Sequence, residues 1–391
     1  MTRDQARAVW ALALGLLVIY AGVFYAYPAM LPDLLEETGW SKAALAFGPT
    51  LGSLVMAGLT PLTGRLVDRG RGAGLMVWMP VLAVVCVGAL GFVTQVWQWW
   101  AVWALMGVAQ AGCLYESTFA ILARHLGPYA REGITRITLV AGLSGTMTFP
   151  LGHYLAGALG GQGAYPVFAA MTLVVTVPLN IYAMRRLGRG ESPVHEAAEG
   201  ALRAALRRWE FWGIAGIFAL IWLDHGILLT YILPLFEERG VGREAAAFAA
   251  ACLGPAQLVG RLVLVFGGGR VTNRAATRVA LASVVVAAVL LIAAGAAPML
   301  VFVVVAVQGA GVGLMSIMRP MLVGEVLGRR GFGAVSGASA VSPILATAAA
   351  PSLGAFLLDG VGTEAVYVAL LGFALAALLL AVVVTRPRVE G

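Results

Sequence analysis

Twelve apolar stretches, each long enough to cross a bilayer and each closed by a charged, glycine-rich or tryptophan-rich break, leave this chain almost no other way to fold. They fall at 9–31, 43–64, 73–95, 98–123, 134–158, 164–184, 211–235, 245–267, 276–296, 299–324, 333–357 and 364–385. A spanning helix consumes about 20 apolar residues, so 391 residues divided this way leave short connectors and no sizeable water-soluble domain. Composition agrees: charged residues make up 12% of the chain, against about 25% in a soluble domain, and the mean hydropathy is +0.90. The fold class expected is an all-α membrane protein with twelve transmembrane helices in two pseudo-symmetric six-helix bundles. The expected divisions are 1–185, a linker at 186–209, and 210–391. Arg3 and Arg7 before the apolar run from Val9 look superficially like a signal peptide, but that run continues into Tyr20 to Met30 and reads as the first span.

The net charge of +7 would suit nucleic acid if it formed a stripe. It does not. Arg65, Arg69, Arg71, Arg124, Arg131, Arg185, Arg186, Arg207, Arg208, Arg274, Arg329 and Arg330 fall in alternate connectors, while the opposite connectors hold only Lys42, Arg239 and Arg243 among several acids. This positive-inside pattern predicts both termini in the cytoplasm and a bilayer, not nucleic acid, as the partner; a bacterial inner membrane is the expected location. Trp97, Trp99 and Trp100, and Trp209 with Trp212, suit interfacial anchors. Cys86, Cys113 and Cys252 lie unpaired inside apolar stretches, which indicates neither disulfides nor a zinc site.

An internal repeat sets the architecture. Leu31-Pro32, Glu36-Glu37-Thr38-Gly39, Lys42 and Phe47 recur as Leu233-Pro234, Glu237-Glu238-Arg239-Gly240, Arg243 and Phe248. Gly64-Arg65-Leu66-Val67-Asp68-Arg69 then recurs as Gly269-Arg270-Val271-Thr272-Asn273-Arg274. Two matches in the same order imply duplication. The first loop continues as Gly70-Arg71; its glycines permit a tight turn, and Asp68 can meet a helix N-terminus or arginines.

Six plus six spans, a long central connector and the loop from Gly64 to Arg71 together resemble the major facilitator superfamily over essentially the whole chain. That resemblance implies alternating access by two halves rocking about a midplane site, a monomer, and a conformational latch at Gly64, Asp68, Arg69 and Arg71; the alternative for these arginines is topology alone. Asn273 replaces the acid in the second copy. Gly39-Trp40-Ser41-Lys42, and Gly254-Pro255-Ala256-Gln257-Leu258-Val259-Gly260-Arg261, are similar to stretches of monocarboxylate porters and oxalate/formate-type antiporters, with Gln257 where those carry an acid.

A charge at mid-membrane costs roughly 2.5 kcal/mol or more on insertion scales, which makes it a functional candidate. Glu116, Asp224, Arg261 and Arg319 qualify, at about 12 to 20 Å along their helices from the nearest connector charge. The family resemblance places spans one, four, seven and ten around the cavity. Two readings stand for the four charges: mutual ion pairs, or a site in which Arg261 and Arg319 grip a carboxylate and Glu116 or Asp224 carries a proton, since desolvation favours the neutral carboxyl. Tyr27, Tyr115 and Gln257 join the substrate-binding candidates, with Tyr20, Phe24 and Tyr231 as further cavity aromatics; plain helix packing is the alternative for each. His225 is expected to be packed rather than part of a relay, His153 to be interfacial, and Arg136 to reach for water. Pro28, Pro150, Pro255, Pro320 and Pro351 are expected to break helix regularity.

No P-loop, H-E-x-x-H or G-x-S-x-G occurs, and the four histidines are scattered, so no enzyme activity, cofactor or metal is expected. The function expected is secondary transport of a small organic anion of monocarboxylate type, with a proton as possible co-substrate. Its rivals are efflux of amphipathic or cationic compounds, for which Glu116 and Asp224 would bind the cargo, and a transporter-fold sensor or membrane enzyme.

Overall fold

The computed structural model describes residues 1–188, 200–267 and 271–386. Gly269-Arg270 of the second loop copy, Arg189–Pro193 of the linker and Arg388 lie outside the described residues. The first half contains α1 (Arg3–Tyr20), α2 (Ala26–Thr38), α3 (Lys42–Asp68), α4 (Gly72–Leu90), α5 (Val96–Cys113), α6 (Tyr115–Leu126), α7 (Ala130–Ala141), α8 (Ser144–Leu159), α9 (Ala164–Met171) and α10 (Val177–Leu187). The short α11 (Ala201–Leu206) leads to α12 (Trp209–Glu238), α13 (Arg243–Ala251), α14 (Leu253–Gly267), α15 (Asn273–Ala293), α16 (Leu300–Leu322), α17 (Phe332–Gly360) and α18 (Thr363–Val384).

Among the described residues, eleven helical runs are long and apolar enough to cross a membrane. One of them, Val96–Leu159, has 64 residues and would extend about 96 Å at 1.5 Å per residue, three times the roughly 30 Å of a hydrocarbon core. It contains the fourth and fifth spans, separated by the turn at Gly127–Tyr129, and the total is twelve. Large apolar side chains face outward all along these helices, among them Trp78, Val85, Val174, Phe356, Val368 and Leu379, as a lipid solvent requires.

The chain forms two compact units. One holds Met1–Leu202 together with Arg330–Ala338; the other holds Arg203–Arg329 and Ser339–Gly391. Helix α17 therefore begins in the first unit and continues in the second. In each unit the second and fourth spans meet backbone to backbone: a Cβ at Gly107 of α5 would stand 2.2 Å from the Gly52 carbonyl oxygen of α3, and one at Gly313 of α16 would stand 2.1 Å from the Gln257 oxygen of α14. Small residues allow such approach without a hydrophobic drive, which lipid does not supply.

Several helices are broken, and not where the prolines sit. Helices α8 and α17 run straight through Pro150 and Pro351. Near Pro28 the irregularity lies a turn upstream, as a π-helical segment at Ala21–Tyr25, and near Pro255 as a turn at Cys252 between α13 and α14. The reason is the missing proline N–H, which frees the carbonyl four residues earlier rather than distorting the proline's own position. Pro178 likewise follows a π segment at Thr172–Thr176 and Pro234 follows the non-helical Tyr231; Pro320 is the exception, with a π segment downstream of it at Val323–Leu327.

The tryptophan cluster also departs from expectation. Trp97 is exposed, but Trp99 is fully buried and donates its indole N–H to the Leu45 oxygen at 3.0 Å, while Trp100 donates to Ala44 at 2.8 Å. Both clamp the start of α3, and Trp99 is a packed core residue rather than an exposed anchor. Trp99→Phe should lower stability by about 1 kcal/mol, the value of one hydrogen bond, measurable as an earlier thermal unfolding midpoint; no change would show the bond to be dispensable.

Candidate substrate pathway and loop latch

In the first unit, the fourth span is interrupted at Leu114, whose backbone is extended (φ −88°, ψ −164°). The interruption frees the Ala111 carbonyl, which accepts from Ser117 Oγ at 2.8 Å and Thr63 Oγ1 at 3.0 Å, as burial in hydrocarbon demands. Helix α6 restarts with Tyr115 and Glu116. Glu116 is thus half-buried in a first helical turn, where the N–H dipoles favour a carboxylate.

Tyr115 stacks on Phe119 at 5.0 Å and lies 4.7 Å from Tyr20, which in turn meets Phe24 edge-on at 6.1 Å. These rings form one wall beside Glu116. Tyr27 is not part of it: its ring packs against Trp103 and Trp99, at 6.0 and 6.1 Å. Tyr231, at the kink of α12, donates its hydroxyl to Pro351 O at 2.6 Å.

In the second unit, α12 buries two adjacent polar residues. Asp224 is 2% exposed and His225 is 5% exposed. Neighbours on a helix point about 100° apart, so they enter different packing layers. The Gln308 amide on α16 donates to Asp224 Oδ1 at 2.8 Å, and His225 Nε2 lies 3.4 Å from the Gln257 amide nitrogen on α14. Asp224 forms no ion pair among the described residues. His225 is packed, as expected, with its ring 5.9 Å from Trp222, and it has a polar neighbour as well.

Arg261 follows Gln257 by one helical turn and is half-buried. Arg319 is only 6% exposed and donates to Ser339 Oγ at 3.0 Å. Arg136 does not reach alone for water: it pairs with Glu132 one turn away.

The loop after α3 closes on itself through Gly70, whose φ of +80° is a glycine conformation, and Arg71 N–H donates to Leu66 O at 2.8 Å. Asp68 meets a helix N-terminus. Its two oxygens accept from the Gly333 and Ala334 N–H groups of α17 at 2.8 and 2.9 Å, satisfying donors that a helix start leaves open. Gly64 makes this possible, because a Cβ there would stand 2.0 Å from the Gly333 oxygen. Arg124, at the end of α6, donates to the carbonyls of Asp68 and Val67. Arg69 serves as the C-terminal cap of α3.

The second loop copy reverses the charges. Asn273 and Arg274 bond Glu325 at 3.1 and 2.8 Å, so the acid stands at the end of the tenth span and the base in the loop. Sequence reasoning overlooked Glu325, and also Gln110 and Gln308. The latter two carried a signal, since each is an amide flanked on both sides by apolar and small residues deep in its span.

The profile of the Major Facilitator Superfamily matches residues 12–341. No curated protein matches the chain. Among solved structures, the chain is similar to a bacterial homologue of the iron transporter ferroportin, in an outward-facing state with soaked iron, with a TM-score of 0.75 over 99% of this chain and 100% of that one. At 16% identity that likeness concerns the fold. A profile spanning most of the twelve helices, a duplicated six-span plan and a glycine-aspartate-arginine loop after the second span lead to one conclusion: the chain belongs to the major facilitator superfamily and is a membrane-embedded secondary transporter.

Proposed function

We propose that this transporter moves a small organic anion of monocarboxylate type by alternating access, with Arg319 and Arg261 as its anion-binding residues and Gln257, one turn before Arg261, shaping the site. Asp224 and Glu116 are its candidate carriers of a coupled proton. The protein works as a monomer in a bacterial inner membrane, with the arginine-rich connectors and both termini in the cytoplasm. The Gly64–Arg71 loop acts as its latch: Asp68 holds the start of α17, and releasing that cap frees the helix for the next state.

Arg319 is the observation that carries the cargo assignment. It is a permanent cation with 6% exposure deep in a spanning helix, and charges at that depth mark substrate pathways, where guanidinium suits a carboxylate. The hydrogen bond from Gln308 to Asp224 supports a separate task for that acid, since the two-acid, two-base pairing does not account for it. The wall of Tyr20, Phe24 and Tyr115 beside Glu116 favours a second reading, an amphipathic cation. The iron of the structural neighbour is not carried over at 16% identity.

Thermal stability in the presence of lactate, pyruvate, oxalate or tetraphenylphosphonium separates these readings, because a ligand that binds only the folded state raises the midpoint. Carboxylates should stabilise the wild type, and Arg319→Lys should weaken them by about tenfold or more, since lysine keeps the charge but loses the two-pronged contact worth roughly 1.5–3 kcal/mol. Equal carboxylate stabilisation of wild type and variant would remove Arg319 from the site. Stabilisation by the phosphonium alone would move the assignment to Glu116 and Asp224.

A further inference from the structure

We propose that Gln110 and Gln308 are equivalent positioning residues, one in each half, that clasp the middle of the half's first span to its fourth. The Gln110 amide, 5% exposed on α5, donates to the Val23 carbonyl at 2.8 Å. Val23 lies in the π segment Ala21–Tyr25, where the regular helical ladder has opened. In the second half, Gln308, 2% exposed on α16, donates to Asp224 Oδ1 of α12. Val23 and Asp224 are 201 residues apart, against 202 for the repeated Leu31 and Leu233, and the two glutamines are 198 apart, one helical turn from that spacing. The same type of side chain thus links the same two spans in both halves, from donor positions one helical turn apart in the repeat.

A buried amide is costly unless bonded, and leucine would fill a similar volume at no such cost. What the amide supplies is register. Gln110 stands four residues before the break at Leu114, beside Ala111, whose freed carbonyl is held by Ser117 and Thr63. The donor to the irregular stretch of span one therefore sits on the last regular turn before the break in span four, and Tyr20 and Tyr115 of the same two spans meet at 4.7 Å. In the second half the grip falls on a carboxylate rather than on opened backbone, which fixes the orientation of Asp224. The inference takes the chain as a transporter and does not depend on its cargo.

Hydrogen exchange of the full-length protein in nanodiscs tests it. Gln110→Leu should speed exchange about tenfold in peptides covering residues 20–27, as losing one hydrogen bond predicts, with residues 220–230 unchanged. Gln308→Leu should show the reverse pattern, and Gln110→Asn, whose amide is one methylene shorter, an intermediate one. Lactate counterflow then separates KM from turnover: a positioning role raises KM in Gln110→Leu while the amount of folded protein stays near that of wild type and the melting midpoint falls no further than one lost hydrogen bond allows. Unchanged exchange in a variant's own half, or acceleration in both halves, overturns the proposal. The exchange pattern stands even if lactate is not carried, so a failed cargo assignment and a failed clasp give different results.

Discussion

Gly64→Val is expected to reduce transport to background while leaving the yield of folded, monodisperse protein near that of wild type. The Cβ alone would lie 2.0 Å from the Gly333 oxygen and 2.9 Å from the Ala334 nitrogen, and backbone cannot give way as a flexible side chain does. The start of α17 must leave, and with it both N–H bonds to Asp68. If this contact is a latch belonging to one state of the cycle, its loss removes that state and not the fold. Asp68→Asn grades the effect. The neutral amide offers one acceptor in place of two charged ones, a loss of roughly 1.5–3 kcal/mol, or about ten- to a hundredfold in the balance between states. Flux in vesicles, with size-exclusion profiles of the same preparations, checks both. Wild-type flux from Gly64→Val would remove the latch from the account.

Gly313→Val meets nearly the same obstruction and should behave in the opposite way. Its Cβ would lie 2.1 Å from the Gln257 oxygen, and a Cβ at the facing Gly260 would lie 2.0 Å from the Ala310 oxygen. This seam between α14 and α16 lies inside one unit, and it sets the depth of Gln257, Arg261, Gln308 and Arg319. Forcing it apart costs contacts along two whole helices, and overpacking costs about 1–3 kcal/mol even where neighbours can yield. The expected result is loss of most folded protein, with transport falling in proportion. Normal yield with selective loss of transport would mean that the seam moves during the cycle. Together the two glycine variants distinguish a gate from a joint.

The spans, the duplication and the loop were legible because each rests on local chemistry: run length, charge asymmetry, and a glycine spacing that repeats. The burial of Arg319 and Asp224 was legible for the same reason, through distance from the nearest connector charge. The rest depended on partners far away in sequence. Nothing near Leu114 announces a break, because the break persists only where Ser117 and Thr63 take the freed Ala111 oxygen. Trp99 looked like an interfacial anchor until Leu45 appeared as its acceptor. Pro28 and Pro255 misled by one turn, since the carbonyl a proline frees lies upstream. Asn273 looked like decay of the acidic position, whereas Glu325 supplies a carboxylate from the neighbouring span.

The most direct test of the whole account is counterflow of labelled lactate into proteoliposomes containing the purified protein, with unlabelled carboxylates and lipophilic cations as competitors, beside Arg261→Ala and Arg319→Ala. The account predicts lactate accumulation that carboxylates compete away, that lipophilic cations leave intact, and that either arginine variant loses. Accumulation unaffected by both arginine substitutions, or competition by cations alone, would contradict it.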